Sequence, residues 1–96
     1  MAKVIKNIQL PYPQAFDRLY HTIINGGFRI TQADIQTGFI RFDSGVCMSD
    51  WGFNFLAQVG ALNQAETQIY FTGRPKFGLD LFGAGNRKIE RMMKNY

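Results

Sequence analysis

Five apolar residues set the tightest limit on how this chain folds. Phe16, Leu19, Tyr20, Ile23 and Ile24 recur at i, i+3, i+4, i+7 and i+8, the spacing that lines side chains along one face of an α-helix. Pro13 suits the first position of that helix, where its missing N–H is harmless. Asn25-Gly26-Gly27 stops it, because glycine takes the left-handed conformation that a C-cap needs. The pattern predicts a helix over about residues 13–25 with one apolar stripe. A stripe of that kind must be covered by a second apolar surface, and the rest of the chain has to supply it.

The remaining segments mostly alternate with period two, as half-buried strands do. Val4, Ile8 and Leu10 share one parity and Lys3, Asn7 and Gln9 the other, with Ile5 and Lys6 each breaking the alternation once. Pro11 and Pro13 end this first strand. Phe28-Arg29-Ile30-Thr31 alternates again, and Asp34 to Gly38 reads as a turn. Phe39-Ile40-Arg41-Phe42 follows, with Ile40 and Phe42 on one face and Phe39 and Arg41 on the other. The short connection predicts a hairpin, since parallel strands need a long crossover. Ser44 to Gly52 is loop-like. Phe53, Phe55, Ala57 and Val59 then alternate with Asn54, Leu56 and Gln58, and Thr67, Ile69 and Phe71 with Gln68, Tyr70 and Thr72. In the tail, Phe82, Gly85, Ile89, Met92, Met93 and Tyr96 fall on one side of a second helix, and Arg87, Lys88, Arg91 and Lys94 largely on another. Gly83 and Gly85 weaken its beginning, since glycine costs about 0.5–1 kcal/mol relative to alanine inside a helix. The firm helix is therefore expected from near Asn86.

The predicted order is β-α-β-β-β-β-α, an α+β class domain spanning residues 1–96. One five-stranded, largely antiparallel sheet with both helices on one face satisfies the burial pattern. This succession resembles the TATA-binding-protein-like fold, and it also resembles a shortened helix-grip protein, in which a curved sheet wraps a C-terminal helix. The likeness is carried by the Phe16-to-Ile24 helix, the Gly27-Phe28 restart, the Asp34-to-Gly38 hairpin and the Ile89-to-Tyr96 helix. It is one of topology, without a signature motif, so it implies a fold and not a function.

Composition agrees with a folded domain. Hydrophobic residues make up 46% of the chain and charged residues 19%, and nine Phe and four Tyr are available to build a core, which a small domain needs. Met1-Ala2-Lys3 leads into a charged strand and not into the apolar run of a signal peptide, and no stretch reaches the ~20 apolar residues of a membrane span. Cys47 is the only cysteine, which suits a reducing compartment. A cytoplasmic protein with no membrane association is expected. The net charge of +4 arises late in the chain. Up to Phe71, five basic residues balance five acidic ones; afterwards Arg74, Lys76, Arg87, Lys88, Arg91 and Lys94 outnumber Asp80 and Glu90. A basic helix end attracts phosphates, and it is also what an ordinary solvated terminal helix looks like, since cations favour its C-terminus.

Catalytic and metal-binding signatures are sparse. His21 is the only histidine, so zinc-finger spacings are excluded, and no metal or cofactor is expected. Asp34 sits where a hairpin turn wants an Asx side chain; Asp43, Asp50 and Asp80 lie near glycines and read as loop or cap residues. Ser44 and Ser49 lack a nucleophile-elbow context, and no neighbour in sequence identifies a base for Cys47. The glycine-rich run from Gly78 to Gly85 matches neither G-x-G-x-x-G nor the P-loop and reads as a flexible approach to the last helix.

The sheet's outer face carries the functional expectation. If Ile30, Ile40, Phe42, Ile69 and Phe71 face the helices, parity turns Arg29, Thr31, Phe39, Arg41, Gln68 and Tyr70 outward. A non-enzymatic binding or assembly module is expected, with Arg29, Phe39, Arg41 and Tyr70 contacting a protein partner or a second copy in a homodimer, since Tyr and Arg are enriched at binding hot spots. The alternatives are a nucleic-acid binder, in which those residues stack bases and hold phosphates helped by Arg87, Lys88, Arg91 and Lys94, and a carrier of a small apolar ligand between sheet and terminal helix.

Overall fold

The computed structural model describes residues 2–45, 52–76 and 83–96. Its elements are β1 (Ala2–Ile8), α1 (Tyr12–Asn25), β2 (Arg29–Asp34), β3 (Phe39–Ser44), β4 (Phe53–Ala61), β5 (Thr67–Pro75) and α2 (Ala84–Met93). The five strands form one sheet in the order β1-β5-β4-β3-β2, and every neighbouring pair is antiparallel. The expected α+β architecture is present, with the sheet wholly antiparallel. The chain starts at one edge, crosses the sheet through α1, and returns strand by strand until β5 pairs with β1.

Both helices bury their stripes against the same sheet face. Phe16, Leu19 and Ile23 of α1 join Ile89 and Met92 of α2 over Ile40, Phe42, Phe53, Phe55, Ile69 and Phe71. Aromatic packing holds one end together: the Phe28 ring meets Phe42 edge-on at 5.5 Å, and Phe42 stacks on Phe55 at 5.1 Å. Ile30 was expected in this core, but it lies on the edge strand β2 and is only half-buried against it. Gly27 takes the left-handed conformation (φ 86°) that turns α1 into β2.

Four local details depart from the sequence pattern. β2 runs on to Asp34, further than its alternation suggested, because its register shifts between Ile30 and Gln32. Such a bulge opposes two residues to one; it sets Ala33 opposite Ile40, and the Thr31 hydroxyl bonds to the Arg41 carbonyl at 3.2 Å. Asp34 still accepts an Asx-turn bond from the Gln36 N–H at 2.9 Å. In β1 the two parity breaks have separate causes. Lys6 points to the helix side, where its ammonium pairs with Glu90 of α2 at 2.8 Å, while Ile5 lies on the other face, 58% exposed. Finally, α2 begins at Ala84, two residues before the expected Asn86, with Gly83 in a left-handed conformation (φ 67°) as its N-cap.

Candidate functional site

Two surfaces gather the candidate residues: the outer face of the sheet, and a cleft on the helix side. The outer face is fixed by strand register. Opposite one another across β3, β4 and β5 stand Phe39, Gln58 and Tyr70, then Arg41, Leu56 and Thr72, then Asp43, Asn54 and Arg74. Ile5 and Lys3 of β1 continue the first two rows beside Tyr70 and Thr72. The residues predicted to face outward therefore share one continuous surface. Phe39 and Tyr70 are half-buried there, and Arg41 and Arg74 are exposed.

This surface is not flat. Arg41, Asn54, Leu56, Thr72 and Arg74 surround a concavity of about 450 Å³. Gln58, Gly60, Gln68 and Tyr70 contribute to a second of about 450 Å³. The two adjoin at the successive outward positions Leu56 and Gln58. Both concavities lie over β4 and are bordered by β5, and the first is bordered by β3 as well.

Arg29 contributes differently from Arg41. Its guanidinium bonds to the Asp43 carboxylate at 2.8 Å, and that hydrogen bond, with the accompanying charge attraction, raises its pKa further above the ordinary value. The Lys76 ammonium approaches the same carboxylate at 3.8 Å, so Asp43, expected in a loop or cap, is instead a buried, ion-paired residue of β3. Among the described residues no ion pair restrains Arg41 or Arg74, whose guanidinium groups have no carboxylate partner.

The cleft lies where the α1–β2 turn, the end of β3 and α2 meet. It encloses about 440 Å³ and is bordered by Asn25, Phe28, Ser44, Lys88, Arg91 and Met92, among others. Phe28 and Met92 pack on the core and supply an apolar wall. Lys88 and Arg91, one turn apart on α2, supply a cationic one; the Lys88 ammonium stands 6.0 Å from the Phe53 ring centre. Of the other two cations predicted on this helix, Lys94 borders a separate surface depression with Lys6, Glu90 and Tyr96, and Arg87 is exposed. The four expected helix cations are therefore divided between surroundings.

Space between the helices and the sheet is filled by side chains: Leu19, Ile23, Phe53, Phe71 and Ile89 are all at most 2% exposed. His21 is exposed on α1, with Nδ1 2.9 Å from the Asp17 carbonyl oxygen. Among the described residues no group of three or more His, Cys, Asp and Glu is placed to hold a metal, and no helix is long and apolar enough to cross a membrane. The readings of Cys47, Ser49, Asp50 and most of the Gly78-to-Gly85 run fall outside the described residues. The cleft escaped the sequence reading because its borders come from residues 25–28, 44–45 and 88–95, and no local motif links segments so far apart.

No family model matches the chain, and no curated protein matches it. Among solved structures it is similar to the di-domain ARO/CYC StfQ from the steffimycin biosynthetic pathway, with a TM-score of 0.75 and 9% sequence identity. The match covers 98% of this chain and 43% of StfQ, so the chain spans less than half the length of that protein. At this identity the likeness is one of fold. It supports the helix-grip-like reading of the topology; nothing bears specifically on the TATA-binding-protein-like one. It also corrects the expectation that the chain is not an enzyme. That expectation rested on the lack of a catalytic motif, and the same fold serves an ARO/CYC of a biosynthetic pathway, so a missing motif is no ground for excluding catalysis in this architecture.

Proposed function

We propose that this chain is a small-molecule-binding domain and that its ligand is an amphipathic organic anion seated in the cleft beside α2. The observation that carries the reading is the mixed lining of that cleft, in which apolar Phe28 and Met92 border the same space as cationic Lys88 and Arg91. Ligand sites are concave, commonly ~300–1,000 Å³, with apolar lining and a few polar groups that fix orientation, and about 440 Å³ lies in that range. The apolar wall would hold a ring or short chain. Arg91 would hold a carboxylate or phosphate through its planar fork of donors, and the amides of Asn25 and Asn95 offer further hydrogen bonds. An apolar ligand in the interior would have to displace side chains such as Phe53 and Ile89, whereas the cleft offers room as it stands. StfQ works in a biosynthetic pathway, which supports a small-molecule role for this fold.

The test is an amide-resolved NMR titration with 2-naphthoate and its neutral amide. The carboxylate should shift Phe28, Met92 and Asn95, and the neutral amide should bind far more weakly. Arg91→Gln should weaken the carboxylate about 10-fold, since a hydrogen bond to a charged group contributes roughly 1.5–3 kcal/mol. Equal binding of the two probes, or shifts confined to the outer sheet face, would overturn the reading.

A further inference from the structure

We propose that the open face of the sheet binds single-stranded nucleic acid along the concavities over β4. The argument begins with charge. Arg41 and Arg74 border the same concavity of about 450 Å³, and neither has a carboxylate partner among the described residues. Lys3 stands on the same face, opposite Thr72. Asp43, the acidic group nearest this concavity by register, is already occupied by Arg29 and Lys76. Asp34, opposite Phe39 at the margin of this face, is the other carboxylate the register places there, so Lys3, Arg41 and Arg74 outnumber the carboxylate left to balance them, and phosphate oxygens fit the fork of an arginine.

Aromatic placement separates a nucleic acid from other polyanions. Phe39 of β3 and Tyr70 of β5 flank Gln58 on this face, one outward position along β4 from Leu56 in the arginine-bordered concavity, and Tyr70 borders the second concavity. Bases stack on aromatic rings whatever their identity, while a cationic groove follows the backbone. An acidic peptide would satisfy the arginines but would leave those rings without a flat partner. Asn54, Gln58 and Gln68 add donors and acceptors along β4 and β5, within reach of base edges.

Dimensions favour one strand. β3 and β5 are two inter-strand spacings apart, about 10 Å, so the arginines and aromatic rings that flank β4 span the width of a single strand. From Asn54 to Gly60 β4 rises through six residue steps, about 20 Å. Gly60 keeps the far end of β4 low: a side chain added there would meet nothing within 4 Å. A second copy of the chain fits less well, because two such faces would oppose surplus cations to surplus cations. This surface lies on the side of the sheet away from the helices and the cleft, so it stands or falls independently of the small-molecule site.

The experiment is fluorescence anisotropy of a labelled oligo-dT single strand, titrated with the protein at several salt concentrations. Binding should weaken with salt at a slope near −2 on logarithmic axes if Lys3, Arg41 and Arg74 each hold a phosphate, at about −0.7 per contact. The R41Q/R74Q variant should lose at least about 10-fold in affinity at low salt and bring the slope near −0.7. Tyr70→Leu should weaken binding and leave the slope unchanged. R87Q/K94Q, which removes the same charge from the helix side, should bind as the unaltered protein does. Circular dichroism confirms that each variant is folded. The proposal is overturned by no binding at low salt, by R41Q/R74Q binding undiminished, or by R87Q/K94Q losing as much as R41Q/R74Q. It is equally overturned if thymidine monophosphate competes as well, per phosphate, as the oligonucleotide, or if sedimentation shows a dimer that Phe39→Glu abolishes.

Discussion

At the scale of single residues, the backbone makes its strictest demand at Gly38. Its φ is +83°, and a Cβ there would lie 2.2 Å from the Val59 carbonyl oxygen, far inside any real contact. The closeness follows from the turn's attachment to β4, where the Val59 N–H bonds to the Gly38 carbonyl at 2.8 Å. Gly38→Ala should therefore cost about 2 kcal/mol or more, since the left-handed conformation alone costs ~1–2 kcal/mol for a residue with a Cβ. Chemical denaturation checks this; a loss below about 0.5 kcal/mol would mean that the turn yields easily. Core residues were the most readable part of the sequence: Phe16, Leu19, Ile23, Phe42, Phe71 and Ile89 are all buried, because a helical stripe and strand parity each report one face directly. Ile23 is fully buried, and Ile23→Ala should lower unfolding free energy by about 2–5 kcal/mol.

At the scale of elements, the fastening of α2 and its C-terminal extension explains what parity could not. Lys6 bonds to Glu90, the Lys3 N–H to the Asn86 side chain at 3.0 Å, and the Tyr96 hydroxyl to the Ala15 carbonyl at 3.0 Å. A charged residue on the inner face of β1 looked anomalous only because its partner lies 84 positions away. Tyr96 adds a pH dependence. Burial raises its pKa above the ordinary value of 10.0, partly opposed by Arg18, whose guanidinium lies 5.0 Å from the ring centre. A raised folded-state pKa means that the unfolded chain loses this proton first. The phenol's contribution is then complete below pH 10 and is lost as pH rises through the folded value. Unfolding free energy should fall more steeply above pH 10 in the unaltered protein than in Tyr96→Phe; parallel curves would show that the phenol is not coupled to folding. The β2 bulge was illegible for a different reason. Thr31 and Gln32 are both polar and Ala33 is small, so the run has no strong alternation and the shift that sets Ala33 opposite Ile40 leaves little trace in composition.

At the scale of the whole molecule, five strands and two helices were legible because each is a continuous segment with its own period. The cleft was not, since it is assembled from three separated segments, and neither was the relief of the outer face. Parity says which residues point outward, but only register shows that Arg41 and Arg74 border one concavity while Arg29 is tied to Asp43. The pairing of the first strand with the last has a consequence for how the chain acquires its structure during synthesis. Ala2 lies opposite Gly73, and Ile8 opposite Thr67. The hairpins β2–β3, β3–β4 and β4–β5 close short loops and can form as soon as their residues emerge. β1, although made first, has no edge to join until β5 exists, and closing that long loop carries the largest entropic cost in the sheet. A ribosome-bound chain arrested before Thr67 would hold β1 without its partner strand, and only after β5 has joined it can α2 close over the sheet and bring Ile89 and Met92 into the core.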